Sequence, residues 1–217
     1  RQFYYRYVEK LEVTSESVEA FLGKLVHEVL ERLYQFVGEG RVPQLQRVLQ
    51  RYDAWWQERL DPSRVRVVRE EVPLDSYRET GRRCLTNYYR RRYPFDGEET
   101  LGLEEMVHFD LDDQGRYRMR GVVDRIARSR DGFLEIHDYK TGRRVPSQEK
   151  IDQDRQLALY QLGVAGRFGS GEPVRLVWHY LAADVVRTSS RTPEQLAALR
   201  CETMRLIYRV ESEREFA

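Results

Sequence analysis

The chain has 217 residues, with 37 lysines and arginines against 36 aspartates and glutamates, so its formal net charge is only +1. This balance excludes a global basic field, and any contact with nucleic acid must therefore depend on local charge. No apolar run approaches the roughly 18–20 residues that a membrane span requires, and no signal peptide opens the sequence, so we expect a soluble cytoplasmic protein with no membrane partner.

The first element in chain order is an amphipathic helix, predicted from about residue 16 to residue 37, that ends at Gly38-Glu39-Gly40. His27 lies off the main apolar stripe of this helix. At 100° per residue it points to a second face, which it shares with Ala20, Gly23 and Tyr34. Taken alone, such a histidine is more often a partly exposed residue without a role. The other interpretation is a histidine aimed into a cleft, and the helix alone leaves both open.

Two further helices are predicted at about 43–60 and 74–93. Aromatic residues at helical spacing in this region are more often core than base-stacking groups. Three arginine clusters are candidates for phosphate contacts, although a charge run is about as often a solvated helix face. These clusters are Arg82-Arg83, Arg90-Arg91-Arg92 and Arg143-Arg144.

The second half of the chain alternates strands and helices. Strands are predicted at about 100–111, 116–127 and 133–140, followed by one helix at about 148–165. A strand pair at about 174–182 and 185–190 comes next, and Pro193 opens a last helix that runs to about residue 210. The overall class is therefore mixed α and β.

The most informative stretch lies in the strands that end near residues 127 and 140. There, Asp124, Asp138 and Lys140 occupy strand positions that a buried hairpin normally fills with valines. Burying carboxylates without partners costs several kcal/mol, on the order of what a bound cation can offset. Because side chains alternate along a strand, Asp138 and Lys140 share a face with Leu134 and Ile136. That face therefore combines two apolar residues suited to the core with two ionisable residues.

The turn between these two strands decides where Asp124 points. The Asp131-Gly132 pair predicts a tight hairpin. A three-residue loop, Arg130 to Gly132, places Asp124 opposite Asp138 on one face, whereas a two-residue loop turns Asp124 to the other side. We expect the odd loop, or a bulge next to Asp124, with Gly132 accepting the positive φ that such a loop demands.

Together these residues resemble the RecB-type branch of the PD-(D/E)XK nuclease superfamily. The resemblance rests on Gly121-x-x-Asp124-Arg125-Ile126, then Asp138-Tyr139-Lys140-Thr141-Gly142, then Gln156-x-x-x-Tyr160. Two upstream matches are Gly23-x-x-x-His27 and the opening Arg1-Gln2-Phe3-Tyr4-Tyr5-Arg6-Tyr7-Val8. It implies one domain over residues 1–217 with a restriction-endonuclease-like α/β core, a central mixed β-sheet flanked by helices, and a helical insertion at 38–97.

The resemblance also implies a metal site and the residues around it. Mg²⁺ or Mn²⁺ is expected on the His27 imidazole, the Asp124 and Asp138 carboxylates and the Tyr139 backbone carbonyl, and the single nitrogen tilts the site slightly toward manganese. Lys140 is expected to orient the attacking water and stabilise the oxyanion. Gln156 and Tyr160 are expected to position the strand or brace the lysine.

The implied function is metal-dependent DNA hydrolysis, most simply by an exonuclease in DNA repair, recombination or processing. The expected partner is DNA that is single-stranded or has single-stranded ends, with a helicase as a second partner or fusion. One alternative is a catalytically silent nuclease-like domain that binds DNA or a helicase. Another is a metal-dependent hydrolase that acts on a non-nucleic substrate.

Many RecB-type nucleases carry a 4Fe–4S cluster, held by cysteines just before a segment like Arg1–Tyr5 and just after one like Glu215-Phe216-Ala217. We therefore expect this chain to be part of a longer protein in which ligands outside these residues hold such a cluster. The two cysteines present, Cys84 and Cys201, lack metal-site spacing and are expected to be core thiols.

Overall fold

The computed structural model describes residues 15–69, 71–112, 114–169 and 171–213, so the opening motif at residues 1–8 lies outside the described residues. The helices in the described part are α1 (Val18–Gly38), α2 (Leu45–Arg59), α3 (Leu74–Arg92), α4 (Gln148–Asp152), α5 (Gln156–Phe168) and α6 (Pro193–Ser212). The strands are β1 (Glu16–Ser17), β2 (Val65–Arg66), β3 (Glu98–Asp110), β4 (Arg118–Ser129), β5 (Leu134–Lys140), β6 (Val174–Tyr180) and β7 (Val185–Ser189).

The main sheet has five strands in the order β3-β4-β5-β6-β7. Strands β5 and β6 pair in parallel, because α4 and α5 carry the chain back across the sheet between them, and the other neighbours are antiparallel. Helices cover both faces. The predicted α/β fold with a central mixed sheet is therefore confirmed.

Each face of the sheet carries its own hydrophobic core. On one face, the helices α1, α2 and α3 pack together, with Tyr139 of β5 contributing to their cluster. On the other face, α4, α5 and α6 pack against strand residues such as Ile126 and Ile136. The alternation of side chains along β5 thus sends neighbouring residues into two different cores.

Residues 38–97 contain α2 and α3, as the sequence predicts, and these helices share one core with α1. The buried aromatics of this region include Tyr52, Trp56 and Tyr88, which are 0 to 3% exposed. The description of this segment as an insertion stays a prediction. None of the described helices is both long enough and apolar enough to cross a membrane.

The hairpin between β4 and β5 has the predicted odd loop. Arg125 pairs with His137 and Arg128 with Leu134, and the Ser129 N–H donates to the Phe133 carbonyl at 2.9 Å. Three residues, Arg130 to Gly132, remain in the loop, and Gly132 has a φ of 86°. Continued by one residue beyond the Arg125–His137 pair, this register places Asp124 opposite Asp138.

The prediction of a single helix at 148–165 is wrong, because the structure has two helices there, α4 and α5. At the break, the Asp154 carboxylate accepts a hydrogen bond from the Leu157 N–H at 3.2 Å. Arg191 donates to the carbonyls of Ile151 and Asp154, both at 3.0 Å. Side chains thus satisfy the backbone groups that a continuous helix would pair.

The prediction that both cysteines are core thiols is half right. Cys84 is fully buried, whereas Cys201 is exposed on α6. The helical position of Cys201 was predicted correctly, but a position within a helix does not decide which face meets the core.

Candidate active site

The two acids of the hairpin meet where the ladder between β4 and β5 ends. The Tyr139 N–H donates to the Oδ2 atom of Asp124 at 2.7 Å, so an acidic side chain takes the place of a backbone acceptor. The Asp124 side chain is 13% exposed and that of Asp138 is 7% exposed. The strands therefore bring two nearly buried carboxylates to one end of the sheet.

His27 reaches this point from α1. Its Nε2 atom donates to the Tyr139 carbonyl at 2.8 Å, and its Nδ1 atom lies 3.5 Å from the Oδ1 atom of Asp124. Burial is the largest influence on the His27 pKa and lowers it, but the Asp124 carboxylate and the Tyr139 carbonyl outweigh burial and raise the pKa to about 9. The second face predicted for this helix does aim the imidazole into the site.

Glu104 is the site residue that the sequence interpretation missed. One ligand atom each from His27, Glu104 and Asp124 lies within 4.8 Å of the others. Burial, followed by the neighbouring Asp124 carboxylate, raises the pKa of Glu104 to about 7. The three groups form a compact set of one nitrogen and two carboxylates.

The position of Glu104 depends on an irregularity in β3. The register against β4 shifts between Thr100 and Gly102, and Glu104 itself has a φ of 45°, in the left-handed region that few non-glycine residues adopt. Because Leu103 pairs with Arg125 and Glu105 with Val123, Glu104 stands across from Asp124. The adjacent acids Glu104 and Glu105 are the only sequence signal, and alternation alone does not say which of them faces the site.

Lys140 and Asp138 form a pair on the same face of β5. The Lys140 ammonium lies 2.8 Å from each carboxylate oxygen and donates a hydrogen bond to Oδ1. The buried Oδ2 atom accepts no hydrogen bond from any described residue. Burial and then Asp124 raise the pKa of Asp138, against the opposing effect of Lys140. The carboxylate is therefore incompletely satisfied by the protein itself.

Gln156 and Tyr160 extend this chain of contacts onto α5. Lys140 donates to the Oε1 atom of Gln156 at 3.3 Å, and the Nε2 atom of Gln156 donates to the Tyr160 hydroxyl at 3.2 Å. A Cβ atom at Gly121 would lie 2.3 Å from Cε1 of Tyr160, so a glycine is needed there to admit the ring. This contact gives a physical reason for the glycine three residues before Asp124.

Behind the site, on the opposite face of β4 and β5, a buried polar network holds Tyr139. Arg125 is fully buried and donates to the Tyr139 hydroxyl at 3.2 Å and to Glu98 at 2.5 Å. The Tyr88 and Tyr139 hydroxyls are 3.1 Å apart, and one of them donates to the other. The network therefore fixes the ring of Tyr139, whose backbone contacts both His27 and Asp124.

The donor set around Asp124 fits a divalent cation. Hard carboxylate oxygens with one imidazole suit Mg²⁺ or Mn²⁺, and the Oδ2 atom of Asp138, which accepts no hydrogen bond from the described residues, adds a further oxygen. A second set, Glu98, Glu135 and His137, is equally compact but does not fit, because the Arg125 guanidinium donates to Glu98 and lies 3.0 Å from His137. A cation there would meet a buried positive charge.

The predicted site residues lie in two sets of direct contacts at this end of the sheet. One set is His27, Asp124 and Tyr139, with Glu104 added, and the other is Asp138, Lys140, Gln156 and Tyr160. Asp138 pairs with Lys140 and is not in the compact set of His27, Glu104 and Asp124, and its role as a metal ligand stays a prediction.

One comparison with known proteins identifies a family for this chain. No curated protein matches the sequence significantly. The family model of the PD-(D/E)XK nuclease superfamily matches residues 1–217, the full length of the sequence. Members of this superfamily are in general metal-dependent nucleases. The chain belongs to the PD-(D/E)XK nuclease superfamily.

Proposed function

We propose that this chain is a metal-dependent deoxyribonuclease of the RecB type that hydrolyses phosphodiester bonds. The observation that carries the proposal is the pairing of Lys140 with Asp138 beside Asp124, on one face of two neighbouring strands. A lysine and two acids so placed match the Asp…Asp-x-Lys arrangement from which the superfamily takes its name. The retained acids and lysine favour an active enzyme over a silent nuclease-like domain.

Four groups of this chain would hold the cation: the side chains of Asp124, Glu104 and His27, and the Oδ2 atom of Asp138. The Tyr139 carbonyl is a fifth candidate, although in the structure it accepts a hydrogen bond from His27. A bound Mg²⁺ or Mn²⁺ supplies neutralisation of the scissile phosphate and acidification of a nearby water.

Lys140 has the positioning role in this proposal. Its ammonium is fixed between the Asp138 carboxylate and the Gln156 amide, so two acceptors define its direction. A compact ammonium, 38% exposed at the cleft, is suited to hold an attacking water or a phosphate oxygen without leaving these partners. Tyr160 braces Gln156 and thus acts through it.

The substrate in this proposal is DNA that is single-stranded or has single-stranded ends, attacked from an end, with 5′-phosphate and 3′-hydroxyl products. A role in DNA repair, recombination or processing beside a helicase follows from the same RecB-type resemblance. The expected iron–sulfur cluster plays no part in the chemistry proposed here.

Labelled DNA cleavage assays test the proposal. Linear single-stranded, linear double-stranded and circular single-stranded DNA are incubated with Mg²⁺, with Mn²⁺ or with chelator. We expect metal-dependent cleavage of linear single strands and resistance of the circle. Cleavage of the circle would remove the exonuclease assignment, and the absence of cleavage of any substrate with either metal would remove the nuclease assignment.

A further inference from the structure

A cavity of about 440 Å³ opens beside the active site, between the first half of α1, the start of α3 and the loop after Lys140. We call it the Arg143 pocket, defined by Leu22, Val72 and Tyr77 on its walls and Arg69, Arg143 and Arg144 as its cationic groups. Its volume falls within the range of small-molecule sites, about 300–1,000 Å³. None of these residues takes part in the site described above.

The pocket lies beside the active site along α1. Glu19, which lines the pocket, and His27 lie eight residues apart on one face of the helix, about 12 Å at 1.5 Å per residue. Between them, the Cβ position of Gly23 lies 3.6 Å from Oγ1 of Thr141, another lining residue. Because Thr141 directly follows Lys140, a strand whose phosphate lies at the metal centre would reach the pocket with its next unit.

The arginines of the pocket differ from three of the five arginines in the other two clusters. Arg82, Arg91 and Arg92 are each engaged by an acid of the same protein, namely Asp53, Asp184 and Glu98. In contrast, Arg69, Arg143 and Arg144 form no ion pair with any acid among the described residues. With Glu19 as the single acid of the lining, the pocket carries an excess of two positive charges.

The walls add a second kind of contact. Leu22 is buried and Val72 half-buried, so together they offer an aliphatic surface. Tyr77 is 9% exposed, and its buried hydroxyl forms no hydrogen bond of good geometry within the described part of the chain. Burial and then the nearby Glu19 carboxylate raise the pKa of this hydroxyl. A polar ligand group at this wall would complete the hydrogen bonding of this hydroxyl.

We propose that the Arg143 pocket binds one nucleotide of a single strand, the unit next to the phosphate at the metal centre. Arg143 and Arg144 bind its phosphate, while the sugar and base pack against Leu22, Val72 and Tyr77. The inference rests on the proposed function, since it gives that function a place for the substrate beyond the bond that is cut. It also makes an unpaired strand the preferred substrate, because a base in a duplex would have to leave its base pair to reach the wall of the pocket.

Binding measured in chelator separates this proposal from cleavage. The probes are a fluorescein-labelled twelve-residue oligothymidylate, followed by anisotropy, and unlabelled thymidine 5′-monophosphate as competitor. The first variant is Arg143→Gln with Arg144→Gln. The second is Arg69→Gln, which changes the other side of the pocket from a different segment. The matched control is Arg205→Gln with Arg209→Gln, which removes the same charge from exposed positions on α6.

We expect the first variant to weaken both probes about tenfold or more, as the removal of charge-assisted phosphate binding predicts. Arg69→Gln should weaken them less, and the α6 control should match the unaltered protein. The slope of log K against log salt should fall by about 0.7 for each phosphate that the variant no longer neutralises. With metal present, the KM for the oligothymidylate should rise in proportion while kcat changes little.

Equal affinity of the pocket variants and the α6 control for both probes would overturn the pocket, even if metal-dependent cleavage is observed. Conversely, pocket-dependent binding without cleavage would retain the nucleotide site and reject the proposed nuclease. Thermal unfolding of each variant checks that the arginines, all exposed, act on binding and not on folding.

Discussion

The two faces of the β4–β5 hairpin use charged residues in opposite ways. On the face with Asp124 and Asp138, two carboxylates are brought together, and one oxygen of Asp138 accepts no hydrogen bond from any described residue. On the other face, Arg125 is fully buried and bonds to Glu98, Tyr139 and His137. Alternation along the same strands thus separates a face built for binding from a face built for architecture.

Two acids of β3, one on each side of this comparison, have pKa values shifted in opposite directions. Burial raises the pKa of Glu98, but Arg125, His137 and Arg92 outweigh it, so the pKa falls below its ordinary value. In Glu104, six residues along the same strand, burial and Asp124 raise the pKa to about 7. Glu98, with its cationic partners, stabilises the fold as a carboxylate. Glu104, beside another acid, is a carboxylate that a cation would stabilise.

The largest effect is expected from removing the chemistry on the binding face. Asp124→Asn, Asp138→Asn and Lys140→Ala should each lower kcat by about 1,000-fold or more, roughly 4 kcal/mol in the barrier. Stability should be unchanged or higher for the two acid variants, because like-charge repulsion is relieved. Single-turnover cleavage and thermal unfolding measure the two quantities, with Glu99→Gln, an exposed acid of β3, as the control. Near-normal cleavage in any of the three would remove that residue from the mechanism.

Removing the charge from the face with Arg125 should lower stability, the quantity that the acid variants leave unchanged or raise. Arg125→Met should lower the free energy of unfolding by about 3–5 kcal/mol, because it leaves the Glu98 carboxylate buried with one cationic partner fewer. Adding Glu98→Gln should restore part of that loss. Chemical denaturation measures both variants. If the single and double variants were equally stable, the Arg125–Glu98 pair would have no coupling and the comparison between the faces would fail.

The pH dependence sharpens the comparison further. The raised pKa values of Glu104, about 7, and His27, about 9, mean that the folded protein retains protons that the unfolded chain has released. Their contribution to stability is therefore present below the ordinary values, near 4.5 and 6.5, and is lost as pH rises through 7 and then 9.

Cation binding competes with the same two protons, so metal affinity should rise with pH over this window and each ion should displace protons. Calorimetry in buffers of different ionisation enthalpy counts them. Glu104→Gln should reduce proton release near pH 7 and weaken binding about tenfold, the loss of one charged ligand. Proton release unaltered by this variant would mean that Glu104 does not face the ion.

The smallest effect expected is a change in metal preference. His27→Ala should weaken Mn²⁺ binding more than Mg²⁺ binding, because imidazole is the ligand of the set that favours the softer ion. Parallel titrations with the two metals give the ratio directly. Equal losses for both ions would indicate that His27 acts on Asp124 and Tyr139 through its hydrogen bonds and not as a ligand.

The sequence predicts features that depend on local pattern. The helix carrying His27, the strands of Asp124 and Asp138, and the odd loop at Gly132 all follow from periodicity and turn chemistry, and the structure has each of them. Glu104 escapes prediction because a register shift in β3 decides its direction. The break between α4 and α5 escapes because Arg191, from a distant segment, stabilises it.

One hydrogen bond of the hairpin also provides a spectroscopic reporter. The Tyr139 amide donates to the Asp124 side chain and not to a backbone carbonyl of β4, so its proton senses the charge on that carboxylate directly. In an NMR spectrum, the chemical shift and solvent exchange of this single amide would follow the binding of a cation at Asp124 and the loss of the carboxylate in Asp124→Asn. The state of the centre is therefore readable in the resting protein, before any substrate is added.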